Sequence, residues 1–343
     1  MTEKKPLAAG LFATGVLAGS AAVSDVLEVP ADFATIQAAI DAAVDGDSIL
    51  VSAGTWAERI DYLGKDVSVR AVDGPRATII DGFGGTVVRI GPGGTLAGFT
   101  VTNGAASFGA GTEVRGAGSR IIGNVYDGNR QSAGGYGAGI GGNTASPLIA
   151  RNVFVRNTCD SQFLAGVLGF INSSSPTIIN NLFISNSCRG INLAVPEGQV
   201  LTVSNNTMAF NRVGIRSDLG FFGGAQQFRN NILMGNLIGF EAGVNPDEGN
   251  TPLWENNLVF ANQRNYAGIP DQTGINGNIA TNPLFVNAEL FDFRLSASSP
   301  AIDAGATTPA PGADFLGTPR PLDGDGDGTA RTDIGAYEFV PNR

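Results

Sequence analysis

The chain has 343 residues, 31 acidic against 21 basic side chains for a net charge of −10, and no histidine. That balance disfavours nucleic acid and anionic lipid surfaces as partners, and the missing histidine excludes Ser-His-Asp and Cys-His catalysis and histidine-containing zinc sites built from this chain alone. With 43% hydrophobic residues and 49 glycines that follow no three-residue period, the sequence is neither disordered nor collagen-like.

At the start, Lys4 and Lys5 precede an apolar stretch from Leu7 to about Ala18, and small residues then offer a cleavage point after Ala22 or Ser24. This is the three-part form of a secretory signal, and the run is short of the roughly 20 residues that span a bilayer. The expectation is a signal peptide over 1–24 and a mature chain that is secreted or held at the cell surface, with no transmembrane segment. Next comes TIQAAIDAAV, Thr35 to Val44, the one clear amphipathic helix: Ile36, Ala39, Ile40 and Ala43 share a face, Gln37 and Asp41 lie off it, and Thr35 can act as N-cap. An open solenoid exposes its core at each end, so this helix is expected to plug the first coil.

From about Asp47 to Leu284 the chain repeats itself. RNVFVRNT, NNLFISNS, NNTMAFNR, NNILMGNL and NNLVFANQ each carry an Asn, a few apolar residues and a second Asn. Asn152, Asn181, Asn206, Asn231 and Asn257 recur at 29, 25, 25 and 26 residues, a period that signals a solenoid. Short apolar runs closed by Gly and Asn are strand and turn punctuation, and the units have no room for a helix of ten or more residues. In a parallel β-solenoid equivalent residues stack at about 4.8 Å, so these five asparagines form a ladder along one corner, where Asn also tolerates a left-handed backbone. The rival reading is a row of sugar-binding amides. Cys159 and Cys188 share a register on adjacent coils, within the Cα separation of about 4.4 to 6.8 Å that a disulfide needs. A bridge and a pair of buried thiols both fit.

Strands after the corners, RGINLA, VGIRSD and IGFEAG, align to put Asn192, Arg216 and Glu241 on one outward row, with Asp218 two residues beyond Arg216. The loops that follow add Phe221, Phe222, Asp247 and Glu248. Cation, carboxylates and aromatics together make this the candidate ligand-binding groove. Arg216, Asp218 and Glu241 are the candidate catalytic residues, since abstraction of a proton α to a carboxylate needs a base and a cation to stabilise the enolate. The plain alternative is a set of cross-strand ion pairs.

Near the C-terminus, Asp323, Asp325 and Asp327 alternate with glycine and Asp333 follows. Hard oxygens at this spacing suit Ca²⁺. Positions one, three, five and the Gly at six match an EF-hand loop, but the twelfth is Ile334 with Asp333 one short, and no flanking helices are evident. The expectation is a structural calcium loop rather than an EF-hand; a solvated acidic turn is the alternative.

The opening VPADFATIQAAIDAAVDGDSILVSAGTWAE, the Asn-cornered units, and the endings DFRLSASSPAIDAG and DIGAYEF together resemble bacterial exported proteins with right-handed parallel β-helix repeats, of the pectin-lyase-like fold. The tail is similar to the choice-of-anchor Q region found in many of them. The resemblance implies an all-β, right-handed, three-sheet coil, where periodicity alone allows either hand and two sheets or three. It also implies a groove along one sheet in which enzymes of this fold act on acidic polysaccharides, lyases with an Arg or Lys base and carboxylate-held Ca²⁺, hydrolases with clustered Asp. No catalytic motif of those enzymes matches the positions of the candidate row, so none is carried over.

The expected organisation is one domain: a β-helix with its N-terminal cap over 25–284, and a C-terminal capping region with the acidic loop over 285–343. The expected function is a monomeric surface or matrix module that binds a polysaccharide or cell-surface glycan along its side, with no assignable catalysis. The alternatives are an enzyme on an acidic polysaccharide, lyase ahead of hydrolase, and a purely structural spacer.

Overall fold

Each repeat unit folds as three short strands joined by corners. The structure is a computed structural model describing residues 24–160, 166–193, 198–218, 225–243 and 252–341; residues 1–23, most of the expected signal segment, lie outside it. One unit runs through Thr177–Ile179, Leu182–Ile184 and Arg189–Leu193 and returns at Val200–Ser204, parallel to its own start. Repetition of this turn gives a right-handed parallel β-helix with three faces. The first face runs from Val26–Val29 to Leu253–Glu255. The second is a nine-stranded sheet from Gly54–Trp56 to Leu258–Phe260, and the third runs from Ile60–Asp61 to Arg264–Ala267. First and third faces merge into one sheet because two 11-residue strands, Thr112–Ile122 and Ile140–Ala150, cross both. No helix among the described residues is long and apolar enough to cross a membrane.

Inward side chains stack coil upon coil. Tyr126, Phe154 and Phe183 are fully buried, with ring centroids 5.0 and 4.7 Å apart, an offset stack that adds to the burial of each ring. The N-terminal end is closed by the helix Ile36–Ala42, whose Ile36, Ala39 and Ile40 are buried and whose N-cap Thr35 accepts from the Ala38 amide. Its orphan end groups are met from the first coil. Glu58 accepts from the Ile36 and Gln37 amides, and Lys65 Nζ donates to the carbonyls of Ile40, Asp41 and Ala43.

The expected ladder forms, and it is longer than the five asparagines. It begins at Asn124, whose Oδ1 accepts from the Phe99 amide, and ends at Asn278, each later Oδ1 accepting from the backbone amide and the Nδ2 of the Asn one coil earlier, as between Asn181 and Asn206 at 2.9 and 3.0 Å. The second Asn of each unit makes a second ladder at the next corner: Asn129, Asn157, Asn186, Asn211, Asn236 and Asn262. The left-handed backbone falls elsewhere than expected. It belongs to the residue before each ladder Asn, at Asn180, Asn205, Asn230 and Asn256 with φ of 54°, 56°, 54° and 49°. In each NN pair the first residue turns the chain and the second bonds along the axis.

Cys159 and Cys188 are joined in a disulfide, with Cα atoms 5.5 Å apart. This selects the bridge over the two thiols.

The tail differs from the expected end cap. The last coil is closed by the segment after Ala267, where Ile279 pairs with Leu258 and Asn278 ends the ladder by donating to the Trp254 carbonyl. Residues 285–341 instead turn back along the outside of the second face. Strand triplets there send their middle residue inward and their outer two to the tail: Val155, Leu182, Ile184 and Ala209 pack with Phe293 and Ala336, and Ile232 and Leu258 with Leu295, Ile302 and Ile334. The left-handed asparagines fasten it. Asn180, Asn205, Asn230 and Asn256 donate to the carbonyls of Ala313, Asp333, Ala306 and Ala304. The physical reason is burial: three consecutive apolar residues on a strand leave two facing water unless another segment covers them.

Candidate functional site: the outward row of the third face

On the third face the register pairs Asn192 with Arg216 and Arg216 with Glu241, so the three outward residues stand one above another. Asp218 pairs with Gly243 at the end of the same strand; its side chain lies outside the description. Phe221, Phe222, Asp247 and Glu248 lie outside the described residues. The row acquires a member that alignment of the outward positions missed. Arg189 reaches along the face to Glu241, Nε to Oε2 at 3.1 Å, while Arg216 meets the other oxygen at 3.3 Å. The three side chains are 10, 14 and 22% exposed, for Arg189, Arg216 and Glu241. Burial pulls the Arg189 guanidinium below its usual range, opposed by Glu241.

Two guanidiniums converge on one carboxylate, one at each oxygen. Glu241 has both oxygens engaged and is poorly placed to take a proton from a substrate. Arg216 is held against the second oxygen of that carboxylate.

These coils lie within the stretch that a family model matches. The model of a family described as a protein of unknown function, DUF1565, matches residues 72–279, more than half of the sequence. The chain belongs to the DUF1565 family. No curated protein matches it. Among solved structures, pectate lyase Pel9A is similar at 15% identity, covering 92% of this DUF1565 chain and 97% of the lyase, with a TM-score of 0.52. That likeness shows the fold. Pectin methylesterase from carrot matches at 14% identity, over 75% of this chain and 88% of its own, at a TM-score of 0.39.

In the DUF1565 chain the acidic loop is organised differently from its sequence reading. The carboxylates that converge among the described residues are Asp303, Asp323 and Asp325, each offering an oxygen within 4.8 Å of the others. Asp303, thirty residues upstream of Asp333, is the member that spacing could not supply. It also accepts from the amides of Gly324, Asp325 and Arg331 and so shapes the loop. Asp327 accepts from the Thr329 amide and is not among the three. Asp333 is corrected outright: it is 1% exposed and bonded to the amides of Asp303 and Phe339. Burial, reinforced by Glu338, pushes its carboxyl up to about 7. Beside it Arg320 and Glu338 form a buried pair at 2.9 Å, and Arg320 also donates to Asn180 Oδ1 and the Gly335 carbonyl. Asp333 and Glu338 thus belong to the docking of the tail. The oxygen donors of Asp303, Asp323 and Asp325 are of the type hard cations take, so the residues present fit calcium in kind.

Proposed function

We propose that this protein is an exported, non-catalytic β-helix module that holds a polysaccharide or cell-surface glycan along its third face. The observation that carries the reading is the in-register row Asn192, Arg216 and Glu241, joined by Arg189. A line of amide, guanidinium and carboxylate groups spaced by one coil, about 4.8 Å, offers a chain molecule repeated donors and acceptors. The pectate lyase likeness supports a polymer ligand only as an analogy of fold. Binding without cleavage follows from the way Glu241 and Arg216 occupy each other, which leaves neither poised as a base. Export rests on the sequence of residues 1–24, and action as a monomer rests on the closed ends of the coil. A structural Ca²⁺ at Asp303, Asp323 and Asp325 completes the proposal, with no part in binding the glycan.

Affinity electrophoresis through gels of acidic and neutral polysaccharides tests the row. Arg216→Ala and Glu241→Ala are expected to weaken retention about tenfold each with the fold intact; unchanged retention in both would place the glycan elsewhere. Millimolar Ca²⁺ is expected to raise the melting temperature in a manner that Asp323→Asn removes, and an identical melt with chelator would dispose of the metal.

A further inference from the structure

The outward row of the third face continues towards the N-terminus as Asn192, Gly169, Gly141, Glu113, Arg89 and Asp61, each paired with the next. It is not one open groove. A Cβ on Gly141 would lie 2.7 Å from the Gly109 nitrogen and 2.9 Å from the Tyr136 carbonyl, and one on Gly169 would lie 2.7 Å from the Gly137 nitrogen. The chain therefore crosses the row at these two glycines and divides it. Beyond the crossing lies a pocket of about 350 Å³ lined by Asp61, Leu63, Gly64, Arg89, Pro92 and Arg115 among others.

Its chemistry is specific. Glu113 takes Arg89 Nε on one oxygen at 3.0 Å and Arg115 Nε on the other at 2.8 Å. One buried-side carboxylate thus orients two guanidiniums side by side. Among the described residues neither makes another ion pair or hydrogen bond through its terminal nitrogens, and the two side chains are 41 and 57% exposed. A guanidinium held by Nε still presents its terminal fork, the geometry that meets a carboxylate bidentately. Leu63 is 58% exposed, and its left-handed backbone is fixed by Asp61 Oδ1, which accepts from its amide at 2.8 Å. The floor is close-packed: a Cβ on Gly91 would lie 2.9 Å from the backbone at Gly64 Cα, and one on Gly116 2.7 Å from the Pro92 ring at Cγ. The volume sits at the lower end of small-ligand pockets, which run from roughly 300 Å³.

We propose that this pocket binds a single acidic sugar unit of the hexuronate type. The carboxylate lies on the Arg89 and Arg115 forks, the apolar ring face rests on Leu63 and Pro92, and Asp61 accepts from a ring hydroxyl. A neutral hexose lacks the group the forks select, and a simple carboxylate lacks the ring. The assignment rests on the glycan reading in one respect, that such a unit belongs to the retained polymer. Titration with a monosaccharide tests it apart from that reading.

The test is isothermal titration, or observation of ligand protons by saturation-transfer NMR, at low ionic strength with the full chain and four probes: glucuronate, galacturonate, glucose and acetate. A uronate is expected to bind at least tenfold more tightly than glucose or acetate. The double variant Arg89→Ala/Arg115→Ala should lose that binding by tenfold or more, while Arg130→Ala, an exposed guanidinium paired with Asp160 outside both the pocket and the row, should leave it unchanged. Leu63→Ser, at an exposed position that does not endanger folding, should weaken the uronate several-fold without altering acetate. Acetate binding as tightly as both uronates would reduce the site to an anion hole, and binding of glucose equal to that of a uronate would remove the role of the forks. No uronate binding to the folded wild type at millimolar concentration, or full binding by a correctly melting double variant, would overturn the proposal.

Discussion

At the scale of single residues the two asparagines of an NN pair have separate tasks, and separate costs follow. Asn206 Oδ1 accepts from the amide and Nδ2 of Asn181, and its own Nδ2 serves Ile178 and Ser204 carbonyls and Asn231 Oδ1, all buried. Truncation strands several buried groups, each costing about 1–3 kcal/mol. Asn206→Ala is expected to lose at least ~3 kcal/mol of stability in urea denaturation. Asn205→Gly keeps the left-handed turn and leaves the ladder intact while giving up bonds to Asp333, Gly335, Ser204 and Asn230, so a smaller loss of about 1–3 kcal/mol is expected; a loss as large as that of Asn206→Ala would refute the division of labour. The sequence shows the ladder plainly, because a buried amide that must bond up and down the stack admits little but Asn. It shows less clearly which Asn takes the left-handed φ, since both members of the pair are equally suited to it.

At the scale of elements, the tail is the informative departure. VFV, LFI, ILM and LVF carry outward apolar residues that the earlier triplets TVT and VYD largely lack. That change marks where the second face stops meeting water, a signal present in the sequence and readable only once inside and outside are assigned. What fastens the tail is titratable. Asp333 is raised from its ordinary 3.8 to about 7 by burial and by Glu338, and Glu338 is raised by its own burial. A carboxyl whose folded pKa exceeds its unfolded one binds more protons when folded, so its contribution is complete below about 4 and is lost as pH climbs to about 7. Asp47, Asp271 and Asp292 are lowered, and their opposite effect acts below that window. The melting temperature is therefore expected to fall between pH 4 and 7 and to level off above it; a rise across that interval would contradict the buried, protonated Asp333. Sequence spacing grouped Asp333 with the acidic loop because it cannot tell an exposed aspartate from one turned into an interface.

At the scale of the whole molecule, the fold is legible because each coil repeats the same instruction. The resemblance supplied the hand and number of faces, which a period alone leaves undetermined. The site is legible in part: Asn192, Arg216 and Glu241 follow from strand alignment, whereas Arg189 and the Arg89–Glu113–Arg115 group depend on how far long side chains reach across coils. In a right-handed β-helix with both ends closed and a flank sealed by its own tail, the third face of guanidiniums and carboxylates is the surface on which the proposed glycan binding is to be tested. Incubating the protein with acidic and neutral polysaccharides, with and without Ca²⁺, while reading retention, ultraviolet absorbance of unsaturated sugars and new reducing ends together tests this most directly. Retention with neither product is the expected result; new absorbance or reducing ends, dependent on Arg216 or Glu241, would make the protein an enzyme and contradict the account.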